Sequence, residues 1–196
     1  ESVANSEGYN LIISQSSESA EKEKMSAKTM FNSRVDGLLI SLSYDTNDLS
    51  HFEQFSKKKI PVIFFDRCEE NHAFSNVLID NRRAAYQATR HLVEQGCKKI
   101  VHVTANLKRN VYVDRFNGYR QALAENNIAF KNEYVIIGNL SLEAGTDAAD
   151  SIVKMDPLPD GVLVANDNCA IGCMLSLKQA GIRIPDDIAV VGFNND

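Results

Sequence analysis

Hydrogen-bonding side chains follow several short apolar runs of this sequence, at the points where buried strands are expected to end. Asp66 and Arg67 follow one run, Asn166 follows a second and Asn194 follows a third. A guanidinium presents several donors in one plane, and an amide donates and accepts at once, as a sugar hydroxyl does. Open α/β sheets bind ligands beyond the carboxyl ends of their strands, so these groups indicate a binding site for a small polar molecule.

Each of these residues also has a purely structural interpretation. Asparagine favours turns on its own account, so Asn166 and Asn194 can serve the backbone alone. Asp66 can bond to the backbone of the segment that follows it. Asp167 is expected to cap the helix that follows it rather than to contact a ligand.

Motifs for catalysis and for metal or cofactor binding are missing from the sequence. It has no GxGxxG or GxxxxGK[ST] loop, no GxSxG elbow and no HExxH pair. Cys169 and Cys173 share a predicted helix without nearby Cys or His partners, which favours packing over a metal site. Carboxylates follow predicted strands at Asp66, Asp167 and Asp196, but nothing else supports a hydrolytic pair. We therefore expect no enzyme activity, no cofactor and no metal.

The charge balance and the lengths of the apolar runs limit the partners of this chain. Its formal net charge is -5. Phosphate affinity comes mainly from clustered Lys and Arg, so the chain by itself is expected to bind nucleic acid poorly. Runs such as Ile60–Phe65 and Ile188–Phe193 are far too short to cross a bilayer, and no secretory segment opens the chain. These features predict a cytoplasmic protein without a membrane partner.

Short apolar runs alternate with stretches of helical periodicity along the chain. The runs lack strict apolar–polar alternation, as is typical of parallel sheets covered by helices on both faces. The fold class is therefore predicted to be parallel α/β, with Phe65 as a buried strand residue. Strands are predicted at Tyr9–Ser14, Gly37–Ser41, Ile60–Phe65, Ile100–Thr104, Val135–Ile137, Gly161–Val164 and Ile188–Phe193.

Capping residues mark several of the predicted helices between these strands. Ser16–Ser19 supply capping candidates for a helix reaching Asn32, whose first turn is expected to carry Glu18 and Glu21 at the positive end of the helix dipole. Gly96 is expected to end another helix in a left-handed conformation. The remaining helices are predicted at Asn81–Gln95, Arg115–Asn126, Leu142–Met155 and Asn168–Ala180, with one more that is capped by Thr46–Asp48 and reaches Lys58.

A polar segment, Arg67–Ala73, interrupts the alternation of strands and helices, and a short apolar connection, Val77–Asp80, follows it. We interpret this interruption as the hinge between two lobes. The predicted lobes are residues 1–80 and residues 81–196.

Several segments resemble the effector-binding domain of LacI/GalR transcription regulators. The most specific segment is residues 160–196, which includes GVLVANDNCAIG and LKQAGIRIPDDIAVVGFNND. Arg115–Tyr119 resembles the family's R-x-x-G-aromatic helix start, and Val77–Asn81 resembles the crossover between its lobes. Together, the resembling segments cover nearly the whole chain.

The resemblance implies a two-lobed, periplasmic-binding-protein-like fold with a small effector in the cleft between the lobes. It also implies a homodimer, and operator DNA bound through a helix-turn-helix headpiece outside this chain. By the same comparison, the chain is expected to be truncated at both ends. The effector is expected to be a sugar or sugar derivative, with a purine as the less favoured choice.

The resemblance also adds site residues. Arg115 corresponds to an arginine that the family directs at its ligand, Arg67 to another ligand-facing position, and Arg109 to a polar contact of the purine-binding branch. The family often has aspartate at the position of Asn194, so the sugar specificity is open. The alternative for Arg115 is a surface position at a helix start or an ion pair with Asp114. The predicted ligand set is Arg115, Asn166, Asn194, Arg67, Asp66 and Arg109.

A sugar-binding protein of a transport system shares this fold and is the alternative function. The RIPDDIAVVGFNND stretch favours the regulator. The segment that precedes Glu1 in the complete gene would discriminate between the two, because a secretory signal indicates transport and a helix-turn-helix indicates regulation.

Overall fold

The structure is a computed structural model, which describes residues 2–69 and 74–195. The chain forms two compact units, Glu1–Leu78 and Ile79–Asp196, called the N-terminal lobe and the C-terminal lobe below. Their boundary lies two residues before the one between the predicted lobes, 1–80 and 81–196. The predicted hinge segment, Arg67–Ala73, includes residues 70–73, which lie outside the described residues.

The N-terminal lobe contains a three-stranded parallel sheet in the order β1-β2-β3. Aromatic side chains from α3 and β2 form much of its core, including Phe52, Phe55 and Phe64. Phe65 is 44% exposed, so its predicted burial is wrong, because neighbouring residues of a strand point to opposite faces. The elements are α1 (Ser2–Ser6), α2 (Ala20–Asn32), β1 (Leu38–Ile40), α3 (Ser50–Lys57), β2 (Val62–Phe65) and β3 (Ser75–Val77).

The C-terminal lobe contains a four-stranded parallel sheet in the order β5-β4-β6-β7. Every residue of β4 and β6 is buried, so helices cover both faces of the central strands. Helices α4 and α5 pack against each other, as do α6 and α7. The elements are α4 (Asn81–Glu94), β4 (Ile100–Thr104), α5 (Asn110–Glu125), a 3-10 turn (Asn132–Tyr134), β5 (Val135–Ile137), α6 (Leu142–Ile152), β6 (Gly161–Val164), α7 (Asp167–Gln179) and β7 (Ala189–Val191).

The predicted parallel α/β class is confirmed, but the first predicted strand is wrong. Residues 9–14 form neither helix nor strand, and their apolar side chains are exposed, with Ile13 at 87%. A strand needs a neighbour to satisfy its backbone groups, and within the described sheets β1 pairs only with β2. Among the helices of the two described ranges, none is long and apolar enough to span a membrane.

Helix α5 begins five residues before its predicted start at Arg115. The burial pattern explains the difference, because Val111, Arg115, Tyr119 and Leu123 recur at helical spacing and are all buried. Asn110 begins the helix without a side-chain cap, so no capping signal in the sequence marks this end. Arg115 therefore lies on the buried face of a helix and not at an exposed helix start.

Glycines let the helix pairs approach closely. A Cβ atom at Gly118 of α5 would lie 2.1 Å from the carbonyl oxygen of Arg82 in α4. A Cβ atom at Gly145 of α6 would lie 2.1 Å from the carbonyl oxygen of Cys169 in α7. Both distances are far inside van der Waals contact with backbone atoms, so these positions exclude any side chain unless the helices separate.

We expect Gly118→Ala to lower the free energy of unfolding by about 1–3 kcal/mol, the usual range for overpacking a core. Gly138→Ala is the matched control, because a Cβ atom there would lie 3.4 Å from the nearest atom and should change stability by less than about 0.5 kcal/mol. Urea unfolding of both variants measures the difference. Equal stability of the two variants would contradict the close packing of α4 and α5.

Candidate functional site

Arg115 lies inside the C-terminal lobe, with only 4% of its surface exposed. Its Nε donates to Oδ1 of Asn81 at 2.9 Å, at the start of α4. One terminal nitrogen donates to the backbone carbonyl of Ala165, directly after β6. The other donates to Oδ1 of Asn194 at 3.5 Å, in the loop after β7. One guanidinium therefore joins three segments that are distant in sequence.

Aromatic rings fix the plane of this guanidinium. Its Cζ lies 3.7 Å from the centre of the Phe193 ring and 6.0 Å from the centre of the Tyr112 ring. A guanidinium stacked over a ring gains electrostatic attraction and presents its N–H groups at the edge of the stack. The geometry thus directs the donors of Arg115 toward the strand ends rather than into the core.

Asn166 uses its side chain to support the backbone. It is the N-cap of α7, where its Oδ1 accepts from the backbone N–H of Cys169 at 2.8 Å, and its Nδ2 donates to the carbonyl of Leu140 at 3.1 Å. The prediction that Asp167 caps this helix is wrong, because the cap lies one residue earlier. The ligand role of Asn166 stays a prediction. Its side chain does have the structural role that was the alternative, because it bonds to the backbone at both ends of its amide.

Asp167 instead holds the loop after β7. Its Oδ2 accepts from the backbone N–H of Asn195 at 2.7 Å, and a Cβ atom at Gly192 would lie 2.0 Å from its Oδ1. Asn194 and Asn195 both have positive φ angles, 113° and 71°. The Asp167 carboxylate therefore fixes a loop whose backbone is strained, and this loop presents the Asn194 amide to Arg115.

Two further predicted residues differ in their surroundings. Arg109 immediately precedes α5 and is 3% exposed, so its guanidinium is enclosed within the C-terminal lobe. Asp66 follows β2 in the N-terminal lobe and is exposed, with a φ angle of 57°. Their ligand roles stay predictions.

An open cavity of about 770 Å³ lies in the C-terminal lobe beside the loop after β7. Of the predicted ligand residues, Asn194 lines it. Polar groups at its rim come from Asp167 and Asn195, and apolar groups come from α4 and α7. The cavity has room for a small molecule that contacts amide and carboxylate groups on one side and apolar groups on the other.

In the N-terminal lobe, Arg67 forms a two-pronged ion pair with Glu18. Its two terminal nitrogens lie 2.7 and 2.9 Å from the two carboxylate oxygens, and its Nε donates to the Ser41 hydroxyl at 3.4 Å. The Arg67 Cζ lies 5.1 Å from the centre of the Tyr44 ring. Glu18 precedes the N-cap of α2, so its predicted place in the first turn of that helix is wrong.

A buried carboxylate, Glu23, positions the loop after β1. It accepts from the Ser43 backbone N–H at 2.7 Å, from the Thr46 hydroxyl at 2.9 Å and from His51 at 3.0 Å. Burial raises the pKa of Glu23, but these hydrogen bonds outweigh burial and leave the pKa below its usual value. The loop that carries Tyr44 beside Arg67 is therefore anchored from within the lobe.

The cysteines lie in the interior of the two lobes. All four are buried, and no disulfide joins them. Burial raises the pKa of Cys169 to about 11 and that of Cys173 to about 12, so both thiols stay protonated near neutral pH. Within residues 2–69 and 74–195, no group of three or more His, Cys, Asp or Glu side chains is placed to hold a metal ion.

Three residues that shape the site were not predicted as site residues. Asn81 is a buried partner of Arg115, Phe193 forms the ring beneath the guanidinium, and Glu18 pairs with Arg67. Asn81 and Phe193 both lie in segments that carry the family resemblance. Their own residue types gave no further signal, because asparagine at a helix start and phenylalanine at the end of a predicted strand are common structural residues.

Comparison with protein families gives one match over almost the whole chain. The family described as periplasmic binding proteins and sugar binding domain of LacI family matches residues 1–195. The chain is 32% identical over 195 residues to the HTH-type transcriptional repressor PurR of Vibrio atlanticus (strain LGP32) and 27% identical over 196 residues to catabolite control protein A of Priestia megaterium. All of this chain is covered in both cases, but only 58% of the length of each relative.

Solved structures show the same likeness. The transcription regulator CcpA of Lactococcus lactis has a TM-score of 0.87 and 28% identity, over 99% of this chain and 70% of that protein. The transcription regulator GntR from Chromobacterium violaceum has a TM-score of 0.85 and 25% identity, over 100% of this chain and 71% of that protein. The predicted periplasmic-binding-protein-like fold and the predicted family resemblance are both confirmed.

A neutral histidine lies in the core near Arg115. His102 of β4 is fully buried, its ring stacks 5.1 Å from that of Tyr119, and its Nδ1 donates to the Leu163 carbonyl at 3.2 Å. Burial is the main reason why the pKa of His102 falls from 6.5 to about 4, the Arg115 charge lowers it further, and the Leu163 carbonyl opposes the shift.

We expect His102 to make the protein less stable as the pH falls from about 6.5 to about 4. In this range the unfolded chain takes up a proton at His102 and the folded chain does not, so the free energy of unfolding drops by up to about 3 kcal/mol. Above pH ~6.5 His102 is neutral in both the folded and the unfolded chain, and below about 4 it is charged in both. The effect of His102 on stability therefore ends at both limits.

Urea unfolding of the native protein and of His102→Asn across this pH range measures the effect. The stability difference between the two proteins should change between pH ~6.5 and ~4 and be constant above this range, because Asn does not titrate. A second non-titrating variant, His102→Gln, should give the same pH dependence. A difference that does not vary with pH would contradict the assignment.

Proposed function

Because the chain belongs to the family of periplasmic binding proteins and LacI sugar-binding domains, we propose that it is the ligand-sensing domain of a LacI-type transcription regulator. The observation that carries this proposal is the buried Arg115, which joins Asn81, the Ala165 carbonyl and Asn194. An effector that bonds to Asn194 or to the guanidinium would therefore contact a group that is hydrogen-bonded to α4, to the end of β6 and to the loop after β7, and that belongs to α5.

The proposed effector is a sugar or a sugar derivative, with a purine as the less favoured choice. Vicinal hydroxyls match a guanidinium that offers donors in one plane, and an amide such as that of Asn194 can accept from one hydroxyl and donate to another. Arg67 would offer a second guanidinium from the N-terminal lobe. That the effector lies between the lobes stays a prediction of the family resemblance.

Regulation is favoured over transport by the names of the relatives. The protein from Vibrio is named a transcriptional repressor of the HTH type, and the solved structures from Lactococcus and Chromobacterium are named transcription regulators. We therefore propose a cytoplasmic protein that binds operator DNA as a homodimer through a headpiece outside this chain. The net charge of -5 supports DNA contact through another segment.

The proposed mechanism is a shift between two arrangements of the lobes. An effector changes DNA affinity only by the difference between its affinities for the two arrangements. In a dimer, a change in lobe geometry would alter the separation of the two headpieces and so their fit to the two operator half-sites.

We expect Arg115→Lys to weaken effector binding by about tenfold or more, because lysine keeps the charge but loses the planar set of donors. Thermal-shift screening of the full-length protein with monosaccharides, disaccharides, sugar phosphates and purines identifies the effector, and calorimetry gives its affinity. Lysine is preferred to alanine at this buried position, since alanine would leave Asn81 and the Ala165 carbonyl without their donor. Unchanged affinity in Arg115→Lys would remove Arg115 from the site.

We expect Asn194→Gly to weaken effector binding more than Asn195→Gly does, although Asn195 also lines the cavity. Both residues are exposed and have positive φ angles, which glycine adopts without strain, so the two variants differ mainly in the amide that contacts Arg115. Calorimetry with the identified effector measures both. Equal losses in the two variants would show that loop conformation, and not the Asn194 amide, determines the affinity.

The regulatory part of the proposal has its own test. Operator DNA binding by the full-length protein is measured by mobility shift with and without the effector at fixed salt concentration. We expect the operator affinity to change when the effector is added. Equal operator affinity in both conditions would contradict the switch.

A further inference from the structure

We propose that Glu18 acts as a built-in anion that occupies Arg67, so that the N-terminal lobe rejects anionic effectors such as sugar phosphates and accepts neutral polyhydroxy ligands. The inference rests on the proposed function in one respect, namely that Arg67 faces the effector. It adds Glu18 as a specificity-determining residue of that site.

Both terminal nitrogens of the Arg67 guanidinium are hydrogen-bonded to the Glu18 carboxylate. Nη1 and Nη2 of Arg67 lie 2.7 and 2.9 Å from Oε2 and Oε1 of Glu18. Two parallel charge-assisted hydrogen bonds are the arrangement in which arginine also binds a phosphate. A phosphate group must therefore displace the Glu18 carboxylate or bind elsewhere. The side chain of Arg67 is 16% exposed, so little of the guanidinium is left open for an anion as bulky as a phosphate beside the carboxylate.

The backbone holds Glu18 in place. Ser17 and Glu18 have consecutive positive φ angles, 50° and 63°, which cost free energy in residues other than glycine and persist where surrounding contacts enforce them. Two such contacts are present. The Ser43 hydroxyl bonds to that of Ser16 at 2.8 Å, and the Tyr44 backbone N–H donates to Oε2 of Glu18 at 3.2 Å. The carboxylate is therefore positioned by the fold, unlike a chance pairing of two flexible surface side chains.

The charge of the pair explains the expected selectivity. An anion that approaches Arg67 meets the Glu18 carboxylate beside it, and two like charges at short range repel each other. A neutral hydroxyl meets no such repulsion, since it can accept from the guanidinium and donate to the carboxylate. An arginine–glutamate pair thus offers donors and acceptors side by side, which suits neighbouring hydroxyl groups.

Inorganic phosphate tests this inference independently of the effector. The full-length protein, Glu18→Gln and the double variant Glu18→Gln with Arg67→Gln are titrated with sodium phosphate at constant ionic strength, and thermal unfolding is followed. Phosphate stabilises proteins in general and can bind to other Lys and Arg side chains, but both effects are common to the three proteins. We expect Glu18→Gln to bind phosphate about tenfold or more tightly than the native protein, and we expect the double variant to lose this gain.

Three results would overturn the inference: phosphate affinity in Glu18→Gln that does not exceed the native value, a gain that persists in the double variant, or a native protein that binds a sugar phosphate through Arg67. If Glu18→Gln does not fold, Glu18→Gly replaces it, since glycine adopts the φ angle of 63° without strain. Failure of the Arg115→Lys or Asn194→Gly tests would contradict the proposed function but leave the phosphate result interpretable. Failure of the phosphate test leaves those results unaffected.

Discussion

A charged group inside a protein costs free energy unless hydrogen bonds replace the water that it has lost. Arg115 meets this constraint in the C-terminal lobe through an amide, a backbone carbonyl and a second amide, with the Phe193 ring against its face. These partners belong to α4, the end of β6 and the loop after β7. The need to satisfy one guanidinium therefore sets the relative positions of three strand and helix ends, and it joins two of the proposed ligand residues, Arg115 and Asn194.

The N-terminal lobe meets the same constraint with a carboxylate. Arg67 pairs with Glu18, and the loop beside it is held by the buried carboxylate of Glu23. Arg115 bonds to two amides and a carbonyl, whereas Arg67 bonds to a carboxylate of opposite charge. The two arginines that the family resemblance assigns to the ligand thus have different immediate partners, and each lobe can favour a different part of an effector.

Local sequence patterns predicted the buried strands well and the polar contacts poorly. Strands Ile100–Thr104 and Gly161–Val164 were predicted with the bounds observed, because an apolar run indicates its own burial. Strand Val135–Ile137 was also predicted with its observed bounds, although its residues are partly exposed. The start of α5 was missed because an arginine in a sequence normally indicates a surface position, whereas Arg115 is buried. The cap of α7 was assigned to Asp167 instead of Asn166 because both residue types cap helices. The partner of Glu18 lies 49 residues away in sequence, and no local pattern reports a contact of that range.

The contact between Asp167 and Gly192 affects how this protein can evolve. A side chain at position 192 would collide with the Asp167 carboxylate, which also holds the backbone of Asn195. Position 194 has a different restriction, because its side chain is exposed and contacts Arg115 but its φ angle of 113° favours glycine, asparagine and aspartate. Mutation to aspartate or glycine can therefore replace the amide that is offered to a ligand while the loop keeps its shape, and new specificities can arise at this position without loss of the fold.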